Sequence, residues 1–230
     1  MLSAIAIVPS APVLVPELAG AAAAEVADLV AATLAAAALL PERWVIIGTG
    51  PADEEFGPDA AGTFAGFGVD VRVRLSPQDG DEPEPLALPV CALLGGWVRG
   101  RAQPQASARV RVYRGDHGAT AALRRGRELR TEIDRLPEPI GVLVVADGAN
   151  TLTPSAPGGH HPDNAPAQEA LNDALADGDV AALTRLPPQI LGRVAFQVLA
   201  GLAEPGPRSA KELYRGAPYG VGYFAGAWQL

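Results

Sequence analysis

Three short apolar runs constrain this chain more than any other feature: residues 4–8 (Ala-Ile-Ala-Ile-Val), 44–48 (Trp-Val-Ile-Ile-Gly) and 140–146 (Ile-Gly-Val-Leu-Val-Val-Ala). Each is shorter than a buried helix, rich in Ile and Val, and followed by residues that favour loops: Pro9, Gly50 with Pro51, and Asp147 with Gly148. A strand without polar alternation is one covered on both faces, as happens where helices cross over between parallel strands. Between the first two runs lies an alanine-rich stretch, 21–40, that predicts one long helix stopped by Pro41. The chain therefore opens as a βαβ unit, with Gly48, Gly50 and Pro51 ending its second strand.

The remaining pattern extends this arrangement. Residues 69–75 and 108–113 alternate apolar and polar side chains, as half-exposed or edge strands do. Helices are predicted over 86–98, 119–135, 167–176, 179–186 and 192–202, an acidic proline-bearing loop over 76–85, and a long polar loop over 151–166. The tail, 217–230, places aromatic and small residues in a strand-like register, which puts the C-terminus inside the sheet. No repeat or low-complexity linker divides the sequence. The expectation is a single α/β domain over residues 1–230, with a central mixed β-sheet flanked by helices on both faces.

A chain of 230 residues with 48% hydrophobic and 19% charged residues can bury a core without disulfides or metals. Its formal charge of −8 repels a phosphate backbone, and no basic stripe offsets that, so nucleic acid is not an expected partner. Cys91 is the only cysteine, which excludes an intrachain disulfide and a multi-cysteine zinc site. The N-terminus has no basic region, and Pro9, Pro12 and Pro16 interrupt its apolar stretch, unlike a signal peptide. Glu25 and Asp28 lie inside the alanine-rich run, which argues against a membrane span. A cytoplasmic protein with no membrane partner is expected.

In open α/β sheets, functional groups gather in the loops beyond the carboxyl ends of the strands. Here those loops carry Ser10, Thr49 and Gly50, Asp116 and His117, and Asp147 to Asn150. His117, between Asp116 and Gly118, is either a general acid–base residue oriented by a neighbouring carboxylate or a histidine in a tight surface turn. The pair His160–His161 and nearby Asp163 offer metal-ligand chemistry, but consecutive histidines face different ways, so a solvated loop is the simpler reading. The acidic run Asp53-Glu54-Glu55 is equally explained as a loop or the first turn of a helix. Gly48-Thr49-Gly50-Pro51 lacks both the Walker pattern and the dinucleotide fingerprint. No Gly-x-Ser-x-Gly elbow is present, and Cys91 reads as an inert core thiol.

Together these landmarks resemble the class III extradiol ring-cleavage dioxygenase superfamily. It is named for the catalytic B subunit of protocatechuate ring cleavage and includes the more distant Memo-like proteins. The resemblance spans nearly the whole chain, is greatest to a short actinobacterial branch, and rests on Val8-Pro9-Ser10-Ala-Pro-Val-Leu, Ile46-Ile-Gly-Thr-Gly-Pro, Asp116-His-Gly-Ala-Thr, Val144-Val-Ala-Asp-Gly-Ala-Asn with Leu152-Thr-Pro-Ser-Ala-Pro-Gly, and Ala217-Pro-Tyr-Gly-Val-Gly-Tyr-Phe. It implies that fold and, in active relatives, a ferrous iron held by two histidines and a glutamate, with another histidine as acid–base catalyst. The position of the first ligand histidine is Ser10 here, that of the second is Gly50, and the region of the glutamate, 150–159, contains no Glu. The catalytic histidine is retained as His117. The resemblance thus implies a degenerate metal site and no resident iron, unless Asp147, His160, His161 or Asp163 rebuild one.

Three functions follow as expectations. The first is a divergent enzyme with His117 in the ancestral pocket among Asp116, Ser10 and Asp147. It requires a concave cleft with His117 pointing inward beside Ser10 and Gly50. The second is a binding or scaffold protein on the same fold, and the third an oxygenase with rearranged metal ligands. The expected ligand is a small molecule, aromatic by the family's example, and a homo-oligomer is compatible with each reading.

Overall fold

The computed structural model describes residues 1–77 and 83–230, so residues 78–82 of the expected acidic loop lie outside the described residues. In chain order the strands are β1 (Leu2–Val8), β2 (Arg43–Gly50), β3 (Glu54–Phe56), β4 (Ala61–Thr63), β5 (Arg72–Arg74), β6 (Ser107–Arg114), β7 (Ile140–Val145), β8 (Ser209–Gly216) and β9 (Tyr223–Gln229). The α-helices are α1 (Pro16–Ala19), α2 (Ala27–Ala37), α3 (Val90–Ala102), α4 (Ala119–Asp134), α5 (Ala165–Asp177), α6 (Val180–Leu183) and α7 (Arg193–Ala203).

Seven strands form one mixed sheet in the order β3-β6-β2-β7-β1-β9-β8. The four inner strands β6, β2, β7 and β1 run parallel, while β3, β9 and β8 pair antiparallel at the two sides. Every residue of β7 is buried, as its unbroken apolar sequence requires of a strand covered on both faces. Alternate residues of each strand serve different layers. Ile46 and Leu143 join Leu29 and Leu94 on the α2/α3 face, whereas Ile47 and Val144 join Leu129, Leu171 and Phe196 on the α4/α5/α7 face. This is a single-domain α/β protein with helices on both faces of a mixed sheet.

Several elements differ from the sequence pattern. The alanine-rich stretch is not one helix. Gly20, at φ +55°, ends α1, a 3-10 turn follows over Gly20–Ala24, and Val26 leaves helical geometry to bury its side chain before α2 begins. Alanine supplies helix propensity but no preferred face, so packing decides where the breaks fall. Strand β2 continues through Gly48 to Gly50 rather than stopping there, because the bare Gly48 lets Cys91 of α3 pack directly on the strand. Helix α3 starts at Val90, after Pro89, since the residue preceding a proline is disfavoured in helical conformation. The alternating residues at 69–75 yield only the short β5, paired with β4 outside the main sheet, because β3 occupies the edge beside β6. The tail does enter the sheet, as β9 between β1 and β8.

Candidate functional site

The parallel strands deliver their carboxyl ends to one side of the molecule, and the polar groups there form two clusters on different faces of the sheet. The first is built by the loops after β2 and β6. The Gly115 amide donates to the Gly50 carbonyl (3.1 Å), tying the two loops together. His117, its side chain 17% exposed, directs Nε2 at both oxygens of Asp53 (2.8 and 3.1 Å). The Arg114 amide donates to the same carboxylate (2.7 Å), and Arg125 of α4 approaches it at 3.3 Å. Burial works to raise the Asp53 pKa, but the Arg114 amide, the His117 ring and the Arg125 charge outweigh it and hold the carboxyl below its usual value. Among the described residues, Nδ1 of His117 has no hydrogen-bond partner. A carboxylate on one ring nitrogen fixes ring orientation and leaves the other nitrogen for proton exchange with a ligand.

Asp53 was legible in the sequence only as part of an acidic run. It stands before β3 rather than in a helix, and its partner lies far away in the chain. Asp116, the adjacent carboxylate, instead pairs with Arg114 and points to solvent, its side chain 69% exposed. No local spacing signals that exchange. It arises because β2 and β6 are neighbours in register, Gly50 opposite Arg114.

The second cluster lies at the ends of β1 and β7. The Ser10 amide donates to Asp147 (2.8 Å), and burial pushes the Asp147 carboxyl up to about 7, with the Ser10 amide offsetting part of the shift. Tyr223, at the start of β9, packs with the α2/α3 core. Burial, followed by the charge of Asp147, pushes its phenol well above the usual range. The loop after β7 is fastened by Gln168 of α5, whose oxygen accepts the Ala149 amide (2.8 Å). Gly148 and Gly222 flank that carboxamide so closely that a Cβ on either would strike it. Gln168, Asp53 and Tyr223 are thus site-forming residues without a local sequence signal.

The two clusters divide the sequence candidates between them. Thr49 pairs with Tyr113 across β2 and β6, and alternation along β2 turns Thr49 toward α4 while Gly50 faces the α3 side. Ser10 and Asp147 belong to the second cluster, and His117 faces Asp53 rather than Ser10, so the single cleft expected to hold His117 beside Ser10 and Gly50 is not formed. Asn150 lies against Gly158, whose amide donates to the Asn150 carbonyl (2.9 Å), and so shapes the following loop. His160, His161 and Asp163 are exposed on that loop, the His161 amide being anchored on the Thr151 carbonyl (2.9 Å). Cys91 is buried, and its thiol is pushed up to about 12 by desolvation.

The residues at the positions that the resemblance assigns to iron ligands do not fit a ferrous ion. Ser10 supplies a hydroxyl, and Asn150, within the glutamate's region, supplies a carboxamide. At Gly50 a Cβ would come within 2.7 Å of Val112 Cγ1, so a ligating side chain does not fit without displacing β6 packing. Among the described residues no three His, Cys, Asp or Glu side chains gather as a metal-binding group, and no helix is long and apolar enough to cross a membrane.

At the level of class, this is an α/β protein whose polar groups converge at the ends of its parallel strands. Its sequence matches no family of known proteins and no curated protein. Seventeen chains of solved structures match in fold. Among them, the crystal structure of an uncharacterized protein from Escherichia coli K12 is similar over 98% of this chain and 99% of that one, with a TM-score of 0.53 and 9% sequence identity. A likeness at that identity is one of fold.

Proposed function

We propose that the chain is a divergent, iron-independent member of the class III extradiol dioxygenase superfamily, in which His117, oriented by Asp53 and not in the expected pocket with Ser10 and Asp147, acts as a general acid–base residue on a small hydroxyaromatic ligand. The observation that carries this reading is the His117–Asp53 pair: both carboxylate oxygens on one ring nitrogen, the other nitrogen without a partner, at the carboxyl end of a parallel strand. Asp53 holds the ring in place, and Arg125 and the Arg114 amide keep Asp53 ionised for that task. Iron independence is supported by the donor set at Ser10, Gly50 and Asn150 and by the close approach of Val112 to Gly50.

The test is calorimetry on protein purified anaerobically, titrated with ferrous iron and separately with catechol. Iron should show no stoichiometric binding. Catechol should bind, with His117→Ala weakening it about tenfold, the scale of one lost charge-assisted hydrogen bond. Tight iron binding abolished by changing His160, His161 or Asp147 would revive the rearranged oxygenase, and catechol binding indifferent to His117 would sink the acid–base role. A non-catalytic binding protein on the same fold is the second reading, favoured by Val112 filling the space beside Gly50. It predicts binding without turnover of any hydroxyaromatic.

A further inference from the structure

A cleft of ≈ 420 Å3 opens between the β3/β6 edge of the sheet and α4. Five carboxylates line it, those of Asp53, Glu54, Glu55, Glu128 and Glu132, against two guanidinium groups, Arg111 and Arg125. Both guanidiniums are already committed. Arg111 pairs with Glu55 and, at 2.9 Å, with Glu132, while Arg125 meets Asp53 at 3.3 Å. Arg109 reaches Glu132 at 3.1 Å and Arg124 reaches Glu128 at 3.7 Å, so the five carboxylates stand against four guanidinium groups, all of them already paired, and an entering anion would meet a small excess of negative charge. Glu128, by contrast, touches Arg124 and Arg125 only at 3.7 Å, beyond hydrogen-bond length, so its carboxylate retains acceptor capacity.

An independent feature points to a ligand in the same place. Tyr113 is only 7% exposed and packs its ring into the α4/α5/α7 core, yet it also lines the cleft. Its hydroxyl makes no hydrogen bond among the described residues. Tyr113 lines the cleft together with Arg111, Arg125, Glu132 and Glu55, which places it among the cleft's ionic groups. The ring is fixed in the core while the hydroxyl stays open to the cleft, so Tyr113 offers a rigidly held polar group to an incoming molecule.

We infer that this cleft binds a small organic cation carrying primary amines, with Glu128 receiving an ammonium group and the Tyr113 hydroxyl accepting a second hydrogen bond. A bare divalent ion is the poorer occupant, because no three ligating side chains converge as a metal site among the described residues. The cleft adjoins the His117–Asp53 pair through Asp53, but neither Tyr113 nor Glu128 contacts His117, so their substitution tests the cleft separately from the role of His117.

The experiment titrates the 230-residue chain by calorimetry with spermidine, with glutarate and with magnesium, at about 20 mM salt where surface charge is weakly screened. Spermidine should bind saturably at one site, glutarate and magnesium should not, and binding should weaken about fivefold in Tyr113→Phe and at least as much in Glu128→Gln. Tyr113→Phe keeps the packed ring and removes only the unpaired hydroxyl, and an unchanged melting curve shows that the fold is retained. Absence of spermidine binding, binding unaltered in Tyr113→Phe, or equal binding of magnesium or glutarate would each overturn the inference.

Discussion

Asp147 carries the largest carboxyl perturbation with an unambiguous cause: burial, opposed by a single amide from Ser10. Its value of about 7 in the folded chain lies above its usual 3.8, so between about pH 4 and 7 the folded protein holds a proton that the unfolded chain has released. This contribution is fully present below that window and is lost as pH rises through it, by up to about 4 kcal/mol at about 1.4 kcal/mol per unit. Asp147→Asn keeps an oxygen for the Ser10 amide and removes the buried charge. It should raise the melting temperature at pH 8 and flatten its fall between pH 5 and 8 relative to the unsubstituted protein. Calorimetric melts across that range check this, and a parallel fall in both proteins would refute it. Asp53 works in the opposite sense: its carboxyl is depressed, so its contribution is present above about pH 4 and is lost as the carboxyl protonates in acid. The sequence placed Asp147 and His117 at strand ends, but nothing in it joined His117 to Asp53, because that pair depends on which strands are neighbours.

At the scale of elements, α4 and α7 pack through glycines. A Cβ on Gly126 would strike the Val198 carbonyl, and one on Gly201 the Leu123 carbonyl, so backbone meets backbone at both places. Gly126→Ala should therefore cost on the order of 3 kcal/mol or more even though alanine favours helix, because the contact offers no flexible side chain to yield. Chemical denaturation of this variant and of Gly201→Ala measures the loss, and stabilisation by either would mean that the helices can separate freely. Gln168 fastens α5 to the loop after β7. Gln168→Leu leaves the buried Ala149 amide unpaired and should lower stability by about 1–3 kcal/mol, with faster amide exchange at Ala149 as its local signature. Helix and strand periodicity was readable for α4, β6 and β7, whose patterns are strong. It failed over 21–40, where alanine gives propensity without a face, and it gave no warning of β8, whose Ser-Ala-Lys-Glu-Leu-Tyr-Arg-Gly sequence is charged because it lies at the sheet edge.

The whole molecule is organised around strands that serve two cores at once, since alternate residues of β1, β2 and β7 enter opposite layers. Strand β9 belongs to this plan: it lies between β1 and β8, six of its seven residues are buried, and Trp228 donates to the Leu175 carbonyl at 2.8 Å. Ending the chain after residue 216 should abolish cooperative folding, exposing β1 as an unpaired apolar edge prone to aggregation. Retention of a sharp melting transition in that truncated chain would contradict it. The net charge of −8 is likewise a property of the whole, one that resists association with polyanions whatever the local sites do. By itself the sequence determined the α/β class, the buried central strands, the C-terminal strand and the clustering of polar residues at strand ends. These follow from period and composition, which act over a few residues. Only the tertiary structure decided that Asp53 and not Asp116 holds His117, that Ser10 and Asp147 stand apart from it, and that Tyr113 opens into a charged cleft. Those relations depend on strand order and register, which are settled by packing between segments distant in the chain.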